Sequence, residues 1–308
     1  RRQQGVGRGK RMQIEQDRAQ IISGLRHNLT LGSPIALLIE NKDYSIEKLN
    51  KVIAPRPGHA DLAGILKYGF SDIRDVLERA SARSTVSLVA IGAVCKIFLW
   101  EFKIKVSSKV LCVGGEINQE GISEKISEAR EKKDTLGGVF EVTAEMVPVG
   151  LGSYVQPDRR LDARLTGALM AIPGIKAVEI GLGFGYAETF GSESHDAIYY
   201  SKEKGYFRKT NHAGGIEGGI SNGSEIVLRA CMKPICTLMQ PLDSVNILTR
   251  KPAKAATERS DIAVVQAAGV IAEASVAFCL AQAMLEKFGS DSLKEIKENF
   301  KAYLKRIG

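Results

Sequence analysis

Residues 55–61 (PRPGHAD) set His59, one of only four histidines, between Arg56 and Asp61 on a Pro/Gly frame. An imidazole titrates near neutral pH and can donate or accept a proton, and a neighbouring cation can hold an anion beside it. Taken alone, these residues favour a plainer reading, a polar side chain opening a helix. Residues 78–85 (ERASARST) place Arg79 and Arg83 around Ser81 at a junction of two helices. Backbone N–H groups and guanidinium forks converge on phosphate at such junctions, although a solvated helix end accounts for the stretch equally simply. Residues 214–223 (GGIEGGISNG) have the wrong spacing for a dinucleotide fingerprint and precede a strand. Their paired glycines permit either a tight turn or a close backbone approach to a ligand. In residues 232–237 (MKPICT), Cys236 as a nucleophile would need a lowered pKa and a base, and neither is visible, so a structural thiol is expected. In residues 257–265 (TERSDIAVV), Arg259 and Asp261 precede an apolar run that Ser260 or Asp261 can cap. His27, His195 and His212 lack a second ligand at metal spacing, so no metal site is expected.

The elements that must position these residues follow from periodicity. Residues 33–43 begin as a short apolar strand, and 61–80 carry helical 3–4 spacing with Gly69 as a break. Residues 86–102 hold only Lys96 and Glu101 as charges, which predicts a helix packed on most sides. Residues 137–148 alternate as a half-exposed strand, 160–172 read as a helix, and 224–234 as a strand. The run 262–285 contains Gln266, Glu273 and Gln282, so it predicts a buried Ala-rich helix and no membrane span. Residues 181–213 have no period and predict a long irregular loop. Residues 285–306 alternate Lys and Glu as a solvated helix face does. Strands and helices mix without a βαβ rhythm, which favours α+β layers.

Composition narrows the partners. The net charge of +8 comes with 6% aromatics and no nucleic-acid module motif, so a site for small phosphates and carboxylates explains the arginines better than DNA or RNA. A basic nucleic-acid-binding arm at the N-terminus is the competing class, and it would show steep salt dependence. Five scattered cysteines without a CxxC pair support neither disulfides nor zinc and suit buried thiols in a cytoplasmic protein.

In their order and wording these stretches resemble chorismate synthase. The likeness runs through SGLRHNLTLGSPIALLIENKD, PRPGHADLAGILKYGFSDIRDVLERASARST, LDARLTGALMAIPGIKAVEIG, NHAGGIEGGISNGSEIVLRACMKPICT and ERSDIAVVQAAGVIAEASVAFCLAQAMLEKFG, spanning nearly the whole chain. The resemblance implies a single β-α-β sandwich domain over 1–308, a homotetramer, and elimination of phosphate from 5-enolpyruvylshikimate 3-phosphate with reduced FMN. NADPH is one source of the reducing electrons, and the missing dinucleotide fingerprint leans toward an external one. It implies that His59 protonates the reduced flavin and that Asp261 relays a proton. It implies FMN contacts from Arg79, Ala80, Ser81, Pro173, Gly174, Gly218, Lys233, Pro234, Ile235, Cys236, Thr237 and Arg259. Arg2, Arg8, Arg56 and Arg83 would hold the substrate or NADP. A second family histidine, in a G-E-S-H-G motif, is expected in a segment ahead of Arg1, and His195 does not replace it. A flavin-binding protein without lyase activity is the remaining alternative. Gln266 stands where the family commonly has Pro.

Overall fold

Alternation of apolar and polar residues builds a four-stranded antiparallel sheet. Its strands are β1 (Lys105–Val113), β2 (Gly138–Glu145), β3 (Ile175–Ile180) and β4 (Ile226–Met232), in the order β1-β2-β4-β3. The structure, a computed structural model, describes residues 3, 7, 8, 17–41, 49–258 and 260–308. Phe140, Val142 and Ala144 of β2 and Ile226, Leu228 and Ala230 of β4 point inward and are buried. Glu141, Thr143, Val227 and Arg229 alternate with them and face outward, as the two-residue side-chain period requires.

Seven helices are named here: α1 (Asp61–Tyr68), α2 (Ile73–Arg79), α3 (Thr85–Trp100), α4 (Gln119–Glu131), α5 (Leu161–Met170), α6 (Val265–Phe288) and α7 (Leu293–Ile307). Helix α6 carries the centre of the core and is buried on nearly every side. Its alanines let neighbours approach closely: a Cβ on Gly92 of α3 would lie 2.3 Å from Cβ of Ala274. Helices α3, α5 and α6 cover the inner face of the sheet, and the ribbon Gln20–Ser23/Ala36–Leu38 touches α3 from the other side. The helices are thus a layer between two β layers, the sandwich that the resemblance implies.

Direction matters for the site. Phe102, just past α3, and Phe288, which ends α6, both meet Phe300 of α7 edge-on, with centroids 5.2 and 5.3 Å away. The C-terminal ends of α3 and α6 therefore lie together. Their N-terminal ends lie together at the opposite end, where the candidate residues gather.

The break expected at Gly69 divides 61–80 into two helices, since Gly69 adopts φ +70° and Asp72 starts α2 by accepting from the Arg74 N–H. Several expectations change. Helix α3 is not packed on most sides: Ile91, Ile97 and Trp100 are exposed. Segments 73–100 and 265–288 are each long and apolar enough to cross a membrane, and the second is mostly buried within the protein. Neither Ser260 nor Asp261 caps α6; Val264 occupies the cap position without a side-chain hydrogen bond. Of the five free thiols only Cys279 is buried, and Cys231 is exposed. Residues 181–213 are not a structureless loop. They form a 3₁₀ turn, a short helix and a hairpin, pinned where Asp196 accepts from Thr210 Oγ1, His212 N and Ala213 N.

Candidate active site

The PRPGHAD segment is held by its backbone before any side chain acts. The carbonyls of Ile53 and Ala54 accept from Ile247 and Ala256 N–H, and that of Pro55 from Ser244 Oγ at 2.6 Å. Gly58 then turns the chain at φ +77°, a conformation that suits glycine, and His59 N–H closes the turn on Arg56 O at 3.3 Å. Asp61 follows as the first residue of α1, so turn and helix point His59, Arg56 and Asp61 at one another.

These side chains form a closed knot. Arg56 donates from Nε to Asp61 Oδ2 at 2.9 Å, from Nη2 to Oδ1 at 3.0 Å, and from its backbone N–H to Oδ2 at 3.0 Å. Its Nη1 donates to Thr237 Oγ1 at 2.7 Å. His59 Nδ1 lies 2.5 Å from Asp61 Oδ1. Asp61 is fully buried. Burial alone would raise its pKa, but the hydrogen bonds from His59 and Arg56 and the arginine charge hold the carboxyl well below the usual carboxylate range. An ionised Asp61 can only accept, so the proton of this contact sits on His59 Nδ1. Neutral His59 then presents Nε2 as an acceptor, and protonated His59 presents it as a donor.

Two more groups converge on the turn. The ammonium of Lys233 and the thiol of Cys236 both donate to the Gly58 carbonyl, the thiol at 2.9 Å. Lys233 N–H in turn donates to Gly174 O at 3.0 Å, which draws Pro173 and Gly174 to this end of the sheet. Thr135 Oγ1 donates to Ile235 O at 2.7 Å, and the next residue, Leu136, donates to Ile262 O at 2.8 Å. Ile262 N–H donates to Gly7 O, and Arg8 Nη1 pairs with Asp261 Oδ2 at 2.9 Å. Distant segments thereby meet along one end of β2, β4 and β3, beside the N-termini of α3 and α6. Positive helix-dipole ends and a dense set of cations suit an anionic ligand there.

The model of the family described as chorismate synthase matches residues 1–285. The chain belongs to the chorismate synthase family. A chorismate synthase from Thermoanaerobacter pseudethanolicus is 55% identical over 307 residues, covering 99% of this chain and 88% of the relative. One from Sulfurihydrogenibium sp. is 50% identical over 345 residues, covering 98% and 88%. A solved structure, "Crystal Structure of Chorismate Synthase", superposes with a TM-score of 0.78 at 42% identity, covering 94% of this chain and 85% of that one. The chain is an enzyme of the shikimate pathway, in a family that depends on a flavin.

The residues that the chorismate synthase resemblance singles out fall into three groups. His59, Pro173, Gly174, Lys233, Cys236, Thr237, Arg8 and Asp261 share the end just described. Ala80 and Ser81 join them through the turn that starts α3, where Ser81 Oγ accepts from Arg83 N–H, and Arg79 is exposed there. Arg56 and Arg83 come to the site already engaged by the protein: Arg56 by Asp61 and Thr237, Arg83 by both oxygens of Asp17 at 2.6 and 2.7 Å. Gly218 lies elsewhere. It is the first central residue of the hairpin Ile216–Glu217/Ile220–Ser221, which precedes β4, whereas Lys233 follows β4. That strand of 7 residues separates them by roughly 20 Å. Arg2 and Arg259 lie outside the described residues.

The donor set fits a flavin. A phosphate can sit at the helix-start turn of Ser81 near Arg79, and Gly137 lets residues 232–234 pack closely against it, since a Cβ there would lie 2.4 Å from Met232 O. A cleft of about 390 Å³ between β1, α4 and the start of α6 holds none of the expected site residues. Among the described residues no cluster suits a metal. The sequence sets Asp61 beside His59 without giving it a role. Its signal was spacing: two residues past His59, it is placed by the helix start to receive both His59 and Arg56.

Proposed function

We propose that the knot at residues 55–61 is the proton-handling centre of an elimination that converts 5-enolpyruvylshikimate 3-phosphate to chorismate and phosphate. The single observation that carries this reading is the Asp61-bound imidazole of His59, which stands with Lys233, Cys236 and Gly174 at the cationic end of the sheet. Reduced FMN, when bound, supplies the electronic assistance that makes the elimination possible without net oxidation. His59 holds or returns a proton at Nε2, facing the ligand. Asp261 accepts a proton on its carboxylate, with Arg8 holding that carboxylate in place. Arg79 and Lys233 neutralise phosphate, and Arg56 and Thr237 keep the imidazole support rigid.

A second copy of the chain supplies the Gly218 turn to this site, in a homotetramer that works in the cytoplasm. The support is geometric: Gly218 has open space around it and stands at the far end of β4 from the other expected flavin contacts.

Phosphate release from the substrate, under oxygen-free conditions with reduced FMN and the full-length protein, tests the reading. The expected result is chorismate and phosphate in equal amounts with wild type, and a rate lower by about 10²–10⁴ with His59→Ala. Equal rates for the two proteins would overturn the role of His59, and no release by wild type would overturn the reaction.

A further inference from the structure

The peptide that joins Gly58 to His59 is held from both sides. Its carbonyl accepts from the Lys233 ammonium and from the Cys236 thiol, the latter at 2.9 Å, and its N–H donates to Arg56 O at 3.3 Å. A carbonyl oxygen has two lone pairs, and here each meets a donor. The ring of His59 is held separately, by Asp61 Oδ1 at 2.5 Å from Nδ1. The imidazole is thus set between a side-chain anchor and a main-chain anchor, and residues 233–237 build the second. Their own footing is fixed on each side of Cys236. Ile235 O accepts from Thr135 Oγ1 at 2.7 Å, and the buried Thr237 accepts on Oγ1 from Arg56 Nη1 at 2.7 Å.

The two donors to the Gly58 carbonyl differ in what else draws them. Lys233 carries its charge on a long, flexible stem beside the site, so an anionic ligand competes with the carbonyl for it. The Cys236 thiol is neutral, has little rotamer freedom to lose, and packs on the turn: a Cβ on Gly58 would lie 3.5 Å from its sulfur. An anion exerts no such pull on it. We propose, resting on the reading of His59 as the proton-handling group, that Cys236 is a positioning residue for the elimination. Its thiol keeps the Gly58 carbonyl, and with it the orientation of His59, when Lys233 turns to the phosphate of a ligand. This task is neither nucleophilic nor space-filling, because the thiol proton is given to a main-chain oxygen and the effect is felt at the neighbouring ring. A thiol is a weak donor, so the effect on rate is modest and specific.

Phosphate release by the full-length protein with reduced FMN, under oxygen-free conditions, tests this in wild type, Cys236→Ala, Cys236→Ser, His59→Ala and the double variant His59→Ala/Cys236→Ala. Cys236→Ala is expected to lower kcat by about two- to tenfold, with KM for the substrate and Kd for FMN close to wild type. Cys236→Ser restores a donor and is expected to recover most of the rate. In the His59→Ala background the same alanine is expected to cost nothing further, because Cys236 acts through the imidazole. Nitrogen NMR should find the His59 ring signals moved in Cys236→Ala and near wild type in Cys236→Ser. An unchanged kcat in Cys236→Ala, a loss confined to KM or to FMN binding, a serine variant as slow as the alanine, or an equal further loss without His59 would each overturn the proposal. Failure of the underlying reading is seen separately, as His59→Ala running at the wild-type rate, and it overturns the proposal too. Should Cys236→Ala misfold by circular dichroism, the S–H infrared band of wild type decides, isolated by subtracting the Cys236→Ser spectrum. A band at the lowered frequency of a hydrogen-bonded thiol supports the contact, and one at the frequency of a free thiol overturns it.

Discussion

Arg8 Nη1 and Asp261 Oδ2 lie 2.9 Å apart, with side chains 11% and 19% exposed. Residues far apart in the chain thus form one charge pair at the end of the sheet where His59 stands. The backbone repeats the link, since Ile262 N–H donates to Gly7 O. A carboxylate fixed in this way can take a proton from a ligand without first reorganising.

Removing the basic function of Asp261 tests its role. Asp261→Asn keeps the shape and is expected to lower kcat by about 10²–10⁴ while leaving KM and Tm near wild type. Steady-state kinetics beside a thermal melt checks this. A large fall in Tm with an intact kcat would mark the pair as structural only.

Asp61 answers to both stability and pH. Its carboxyl is held well below the usual range, so the folded state binds fewer protons than the unfolded chain as pH falls. The stabilisation is complete above the unfolded value of about 3.9 and is lost as pH drops through and below it. Asp61→Asn leaves the buried Arg56 without its carboxylate and is expected to cost about 3–5 kcal/mol at neutral pH. The slope of Tm between about pH 5 and pH 3 should flatten in the same variant. Nitrogen NMR of the His59 ring should show the Nδ1–H form in wild type and a mixture in the variant.

Close helix packing predicts a cost at Gly92. A Cβ there would lie 2.3 Å from Ala274 Cβ and 2.5 Å from its Cα, so Gly92→Ala must push α3 off α6. The expected loss is about 1–3 kcal/mol, read from the denaturant midpoint at constant slope. Adding Ala274→Gly should return part of it, and strict additivity of the two would contradict the contact.

Burial pushes the Cys279 thiol up to about 11. The folded protein therefore keeps this proton where the unfolded chain, with a thiol near 8.5, has released it. Its contribution is full below that value and disappears as pH rises toward 11. Cys279→Ala should shallow the fall of Tm between about pH 8.5 and 11. In the native protein at pH 8, Cys279 should react with thiol reagents only on unfolding, as mass mapping of labelled peptides will show.

Sequence periodicity alone was enough for the sheet strands 138–145 and 226–232 and for α5 and α6, because each buries a face whose pattern is written locally. It was less informative where burial depends on what lies alongside. Helix α3 looked buried from its apolar composition, yet Ile91, Ile97 and Trp100 are exposed, because no element among the described residues covers that side. Residues 181–213 looked irregular, yet one carboxylate, Asp196, organises them through contacts with 210–213.

By itself the sequence determined the layered α+β class, the family, and the identity of the residues around PRPGHAD. Those follow from patterns that a chain carries in one dimension. Tertiary structure decided which of them meet. It set Arg56 against Asp61 and Thr237, closed Arg8 on Asp261, and put Gly218 at the opposite end of β4 from Lys233. Hydrogen bonds and ion pairs act over about 3 Å, and only folding brings residues 56 and 237, or 8 and 261, within that reach.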